Sequence, residues 1–170
     1  MIIDCHAHLV PQSWFHPKSP RSIFDLDGLF KEQDEAGVDM TVFGNNWIRS
    51  PDGADALRVV KEFNEHAAEL TTKHPKRLIG LACSVPFDND QILKETERAV
   101  KEYKLKGIMI NSSVDGEYLD SPRATPFSNL LVIWMCPSSS IRRNSPSAMK
   151  RWRSSGCRRC WAGPLIPRFP

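Results

Sequence analysis

The stretch Ile2-Ile3-Asp4-Cys5-His6-Ala7-His8 decides the reading of this chain. Two apolar residues followed by a polar, metal-favouring tail read as a short buried strand whose last residues emerge at its C-terminal end. Side chains alternate along a strand, so Asp4, His6 and His8 share one face while Cys5 and Ala7 share the other. Two imidazoles two residues apart on one face converge on a single ion at about 2.0–2.1 Å from each nitrogen, the reach that zinc requires. The same spacing also describes two ordinary loop histidines, and position separates the cases. Strand, helix and strand follow in an order whose C-terminal strand ends carry active sites.

Outward from His8, Leu9-Val10-Pro11 leaves the strand, and the proline-containing stretch Gln12–Arg21 is a loop. A helix follows from about Asp25 to Ala36, with Leu26, Leu29, Phe30 and Ala36 in one stripe and Gly37 as its stop. Asp39–Gly44 is a second strand, followed by Asn45, Asn46 and Trp47. Asp52–His74 is a longer helix, because Leu57, Val60, Phe63, Ala67 and Leu70 recur at three- and four-residue spacing before Pro75. Leu78–Val85 is a nearly continuous apolar run, the signature of a strand covered on both faces. Asp88 or Asp90 caps a third helix through Tyr103, and Gly107-Ile108-Met109-Ile110 is a fourth strand ending in Asn111-Ser112-Ser113.

Four strands with three helices between them predict right-handed βα units on a parallel sheet, an α/β fold. The choice lies between an open doubly wound sheet and part of a barrel. No Gly-x-Gly-x-x-Gly follows the first strand, so dinucleotide binding loses its main support. A full (β/α)8 barrel takes about 250 residues. This chain has 170, so the barrel reading predicts a partial TIM barrel of four βα units.

Length and a hydrophobic content of 41% suit one soluble globular domain. No run approaches the length of a membrane span, and Met1 leads straight into the first strand, so the expectation is a cytoplasmic protein without membrane contact. Five cysteines at irregular spacing predict free thiols in a reducing compartment. The net charge of +3 hides an asymmetry: all 20 acidic residues lie at or before Asp120, whereas Ser128–Pro170 has none and carries eight Lys or Arg. That break divides the chain into 1–127 and a basic, Ser/Arg/Pro-rich tail, 128–170.

Ile2–Pro11 also resembles the opening of the amidohydrolase-related proteins, in the branch that includes aminocarboxymuconate semialdehyde decarboxylase. So do Asp34-Glu35-Ala36-Gly37-Val38-Asp39 and the segment from Gly107 through Asp120. The similarity runs from Met1 to about Phe127. TatD-like nucleases and PHP-type phosphoesterases share a histidine pair after a first strand, but Leu9-Val10-Pro11 and the fourth-strand segment are less similar to them.

The resemblance implies a metal-dependent barrel that hydrolyses amides or lactones, or removes carboxylate from a small organic acid. It implies that His6 and His8 bind a divalent metal, usually zinc. A further histidine after the fifth strand and an aspartate after the eighth have no counterpart here, since the last His is His74 and the last Asp is Asp120. Asp4 either orients a histidine or approaches the metal, or simply meets a backbone donor. Asn45, Trp47, Asn111 and Ser112 stand where barrel substrates are contacted, although Asn and Ser also cap helices and close turns. Cys83 fits a small buried core residue.

From Ser128 onward periodicity is poor after the brief apolar run Leu130–Met135, and the resemblance stops near Phe127. A reading-frame shift there would leave a truncated, impaired barrel with an out-of-frame tail. The alternative is a non-catalytic nucleic-acid module, in which Arg142-Arg143, Lys150-Arg151-Trp152-Arg153 and Arg158-Arg159 form a basic arm with interleaved aromatics. Cys157-Arg-Arg-Cys160 lacks the second pair that a zinc ribbon needs. A half barrel leaves an unpaired strand edge and exposed inner faces, which predicts marginal stability and favours homo-oligomers.

Overall fold

A computed structural model describes residues 1–46, 54–87, 90–114 and 116–135. The chain divides into two units, Met1–Ser128 and Asn129–Pro170. The histidine pair lies in the first. Trp47, Asp88, the basic runs from Arg142 to Arg159 and the Cys157–Cys160 pair lie outside the described residues.

β1 (Ile3–Ala7) runs parallel to β2 (Met40–Phe43), and β2 runs parallel to β3 (Leu78–Gly80). β4 (Ala82–Cys83) pairs in parallel with β5 (Ile108–Met109). The single strand expected over 78–85 is therefore two short pieces separated by Leu81. Each piece bonds a different neighbour: the Leu81 N–H donates to the Phe43 carbonyl at 2.9 Å, and the Lys106 N–H donates to the Gly80 carbonyl at 3.0 Å. Such bonding at the junction keeps the four parallel strand positions continuous.

The helices form where the apolar stripes require them. α1 (Leu26–Ala36) begins at Asp25, whose carboxylate accepts the Gly28 N–H at 2.8 Å, and ends at Gly37 in the left-handed conformation at φ 67°. α2 (Ala54–Lys73) and α3 (Asp90–Lys101) supply Val60, Phe63, Ala67, Ile92 and Ala99 to a core shared with Phe43, Leu78 and Ala82. Gly80 lets α2 approach closely, since a Cβ there would meet the Thr71 hydroxyl at 2.6 Å and the Ala67 carbonyl at 3.3 Å.

A hairpin of β6 (Ser113–Val114) and β7 (Glu117–Tyr118), with Gly116 at φ 82°, follows β5. α4 (Thr125–Met135), not among the expected helices, ends with the brief apolar run Leu130–Met135. A helix that is apolar nearly all round has no stripe for a periodicity reading to find. No helix among the described residues is long and apolar enough to cross a membrane.

Over β2 and β3 the sheet has one covered face and one more open one. Thr41 and Phe43 point to the helices and are buried, with Thr41 accepting from Gln33 of α1 at 2.6 Å. Val42 and its register partner Ile79 point the other way and are only half-buried, as is Leu81. The double covering expected over 78–85 is therefore met from Ala82 to Val85, where consecutive residues are buried, and lapses at Ile79 and Leu81. β1 is likewise not the buried strand expected. It forms one edge of its ladder, Cys5 and His6 are exposed, and Ile2 beside it is 58% exposed.

Candidate metal centre

All parallel strands end at the same rim, and His8 follows β1 there, with Gly44 and Asn45 after β2 and Asn111 after β5. The register of β1 against β2 slips between Asp4, which matches Thr41, and Ala7, which matches Phe43. Thr41 and Phe43 share the helix-facing side of β2, so Asp4 and Ala7 share that side of β1. Strict alternation is broken, and Asp4 does not stand on the face of His8 as the unbulged strand required. The Asp4 carboxylate instead accepts the backbone N–H of His6 at 3.2 Å.

The two imidazoles project from the open face and meet. Their Nε2 atoms are 3.2 Å apart and the rings stand at 90°, with centroids separated by 4.9 Å. His8 Nδ1 lies 2.9 Å from the Gly44 carbonyl. A carbonyl only accepts, so Nδ1 carries the proton and the lone pair of neutral His8 sits on Nε2. That backbone acceptor fixes the ring orientation, as outer-shell partners do for metal-binding histidines. A separation of 3.2 Å is the span two nitrogens take when each lies about 2.0–2.1 Å from one ion at a near-tetrahedral angle. The donor set therefore fits a divalent cation in spacing and tautomer but supplies only two ligands. No group of three or more His, Cys, Asp or Glu able to hold a metal exists among the described residues.

Around the pair, Asn45 is fully buried next to Gly44, Asn111 is half-buried and Ser112 is exposed. Trp47 lies outside the described residues. The loop after His8 is tied to α2: Glu62 accepts from the Ser13 hydroxyl, and Trp14 stacks at 6.2 Å from Phe63. Hydrogen bonds from Ser13 and Trp14 hold the Glu62 carboxyl below its ordinary range, outweighing the opposing effect of burial, and the Arg58 charge adds a smaller push in the same direction. Asn64 brackets β4, accepting the Cys83 N–H at 2.8 Å and donating to the Cys83 carbonyl at 3.4 Å. The buried Cys83 thiol is pushed up to about 12 by burial, which leaves it un-ionised and a poor nucleophile at neutral pH. Sequence reading missed the roles of Gly44 and Asn64. Gly44 acts through a carbonyl that every residue possesses, and Asn64 sits within a helical pattern that already explains its position.

Residues 3–133 match the amidohydrolase family. The chain belongs to that family. The match extends past Phe127, where the resemblance was placed, to residue 133. Among its relatives is the 2-amino-3-carboxymuconate-6-semialdehyde decarboxylase of Dictyostelium discoideum, 30% identical over 130 residues that make up 72% of this chain and 35% of the relative. The crystal structure of 5-carboxyvanillate decarboxylase from Sphingomonas paucimobilis superposes with a TM-score of 0.66 at 22% identity, over 76% of this chain and 48% of that one. The enzyme of that name from Novosphingobium aromaticivorans, solved with manganese and 4-hydroxy-3-methoxy-5-nitrobenzoic acid, gives 0.65 at 20% identity, over 78% and 47%. This amidohydrolase-family chain thus spans about a third of the curated relative and about half of the solved ones, and its relatives are enzymes.

Proposed function

We propose that this chain carries the leading half of a metal-dependent barrel that removes carboxylate from a small unsaturated or aromatic acid, with His6 and His8 as metal ligands. The convergence of the two Nε2 atoms at 3.2 Å is the observation that carries the reading. Decarboxylation is favoured over amide or lactone hydrolysis because the named relatives are decarboxylases. When bound, a divalent cation would act as a Lewis acid on a substrate oxygen and lower the pKa of bound water. Zinc suits two imidazoles, and manganese is the ion named with a solved relative.

The roles of the chain's own groups follow from their positions. His6 and His8 bind through Nε2, the Gly44 carbonyl holds the His8 proton on Nδ1, and Asp4 tethers the backbone at His6. Asn45, Trp47, Asn111 and Ser112 are the proposed substrate-lining residues, supported by their positions beyond strand ends. The substrate is a small molecule. Free thiols at Cys5 and Cys83 support a cytoplasmic location.

Residues 1–127 form the half barrel in this reading, and 128–170 is a tail that arose by a frame shift. The acid-free composition of that tail supports the proposal. Reading the coding DNA from Thr125 to Met135 in its other frames tests it, because absence of a family-like continuation sinks it. For the site, purified protein should contain zinc or manganese, and His6→Ala with His8→Ala should remove it. Unchanged metal content in the double variant would overturn the assignment. Turnover assays with aromatic acids, amides and lactones on a chain carrying a restored second half would separate decarboxylase from hydrolase.

A further inference from the structure

We infer that Met109 is a positioning residue for the histidine pair, acting through the backbone of Gly44 that holds the His8 ring. The inference rests on the metal reading of His6 and His8. Three observations lead to it.

The first is how Gly44 grips the end of β1. Its N–H donates to the Ala7 carbonyl at 3.1 Å, and its own carbonyl lies 2.9 Å from His8 Nδ1. Both backbone groups of one residue are thus engaged by β1 and the ring that follows it. A shift of Gly44 moves the acceptor that fixes the His8 tautomer. It also turns the ring whose Nε2 meets that of His6 at 3.2 Å.

The second is what lies against Gly44. Phe43 faces the helices and is buried, so a side chain at 44 would face the other way, the side from which the imidazoles project. Met109 occupies that space: a Cβ on Gly44 would stand 3.0 Å from the Cβ, Sδ and Cε atoms of Met109 alike. The thioether end can swing aside, because methionine has several rotatable bonds, but Cβ is fixed to the β5 backbone. Gly44 does not share the left-handed conformation of Gly37 and Gly116. Space for Met109, rather than backbone conformation, therefore requires glycine at this position.

The third is that Met109 is itself anchored. It lies in register with Cys83, whose N–H and carbonyl are both bonded by Asn64 of α2, at 2.8 and 3.4 Å. Two residues earlier, the Gly107 carbonyl accepts the Ala82 N–H at 2.8 Å. A Cβ on Gly107 would meet Leu81 Cδ2 at 3.0 Å, so β5 also seats closely on its neighbour there. Contacts run without a gap from Asn64 through Cys83, Met109 and Gly44 to His8. Contiguity becomes coupling only when paired substitutions depart from additivity, and an exchange of side-chain size between 44 and 109 measures that departure.

Cobalt(II) titration and long-range proton–nitrogen NMR of the imidazoles, on the purified full-length chain and its variants, test the inference. The metal-free chain should show His8 with its proton on Nδ1. Gly44→Ala should mix the two tautomers and weaken cobalt binding about tenfold, the effect of losing an outer-shell partner. Met109→Gly alone uncovers Gly44 and should weaken binding as well. Together the two substitutions clear the Met109 Cβ from the path of the new methyl. The double variant should therefore regain the single tautomer and bind cobalt within about threefold of the unaltered chain. Losses that multiply in the double variant, or a single His8 tautomer in Gly44→Ala, would overturn the inference. Should Gly44→Ala fail to fold, the double variant decides, and a recovered fold without the Nδ1 tautomer would overturn it too. Failure of the unaltered chain to bind cobalt would overturn the metal reading, while the tautomer series would still decide whether Met109 holds the His8 ring.

Discussion

Gln33 has no charge and no place at the rim, yet it is 3% exposed and organises the far end of the sheet. Its amide donates to Thr41 at 2.6 Å and accepts from the Arg77 guanidinium at 2.8 Å, and that guanidinium also lies 4.8 Å over the Phe30 ring. Removing the amide strands buried partners, so Gln33→Ala should cost about 1–3 kcal/mol in a urea melt. His66 on α2 offers a pH test at the same scale. Burial, working against the Glu69 and Glu62 charges, lowers its pKa below 6.5. The unfolded ring therefore takes a proton first as acid is added, and the stability that depends on a neutral ring is complete above about pH 6.5 and lost as pH falls through the lower folded value. His66→Gln should flatten the stability profile in that window. An unchanged profile would show that the ring does not titrate differently on folding. Glu62 acts lower down, because its depressed pKa adds stability that disappears only as pH falls below its ordinary value of 4.5.

Among the elements, α1 to α3 followed their sequence signals, whereas β1 and the stretch 78–85 departed from theirs. α1 sits between the Asp25 cap and Gly37 because both signals are local, and Asp25→Ala should cost about 1 kcal/mol by thermal melt. The strand over 78–85 divides at Leu81 because its two halves bond different neighbours, a partition no apolar run encodes. The slip in β1 that separates Asp4 from the histidine face depends on β2 in the same way. Gly80 marks the contact between β3 and α2. Gly80→Ala would drive a methyl against Thr71 and Leu105 at 2.6 and 2.9 Å, with an expected loss of about 1–3 kcal/mol in chemical denaturation. A neutral result there would mean that α2 yields more readily than its packing indicates.

For the unit Met1–Ser128, a sheet face only half-buried at Val42, Ile79 and Leu81 limits stability. If His6 and His8 hold a divalent cation in the folded chain, its melting temperature should rise with added zinc or manganese. A midpoint indifferent to both ions would contradict the metal assignment. The order of parallel βα units, the caps of α1, the family and the histidine pair were legible from residue types and spacing, because periodicity and capping are local properties of a chain. The 3.2 Å meeting of Nε2 atoms, the Gly44 carbonyl that sets the His8 tautomer and the turn of Asp4 toward the helices were decided only in three dimensions. Each depends on how a neighbouring strand lies in register, and register is a relation between distant segments that neither segment carries alone.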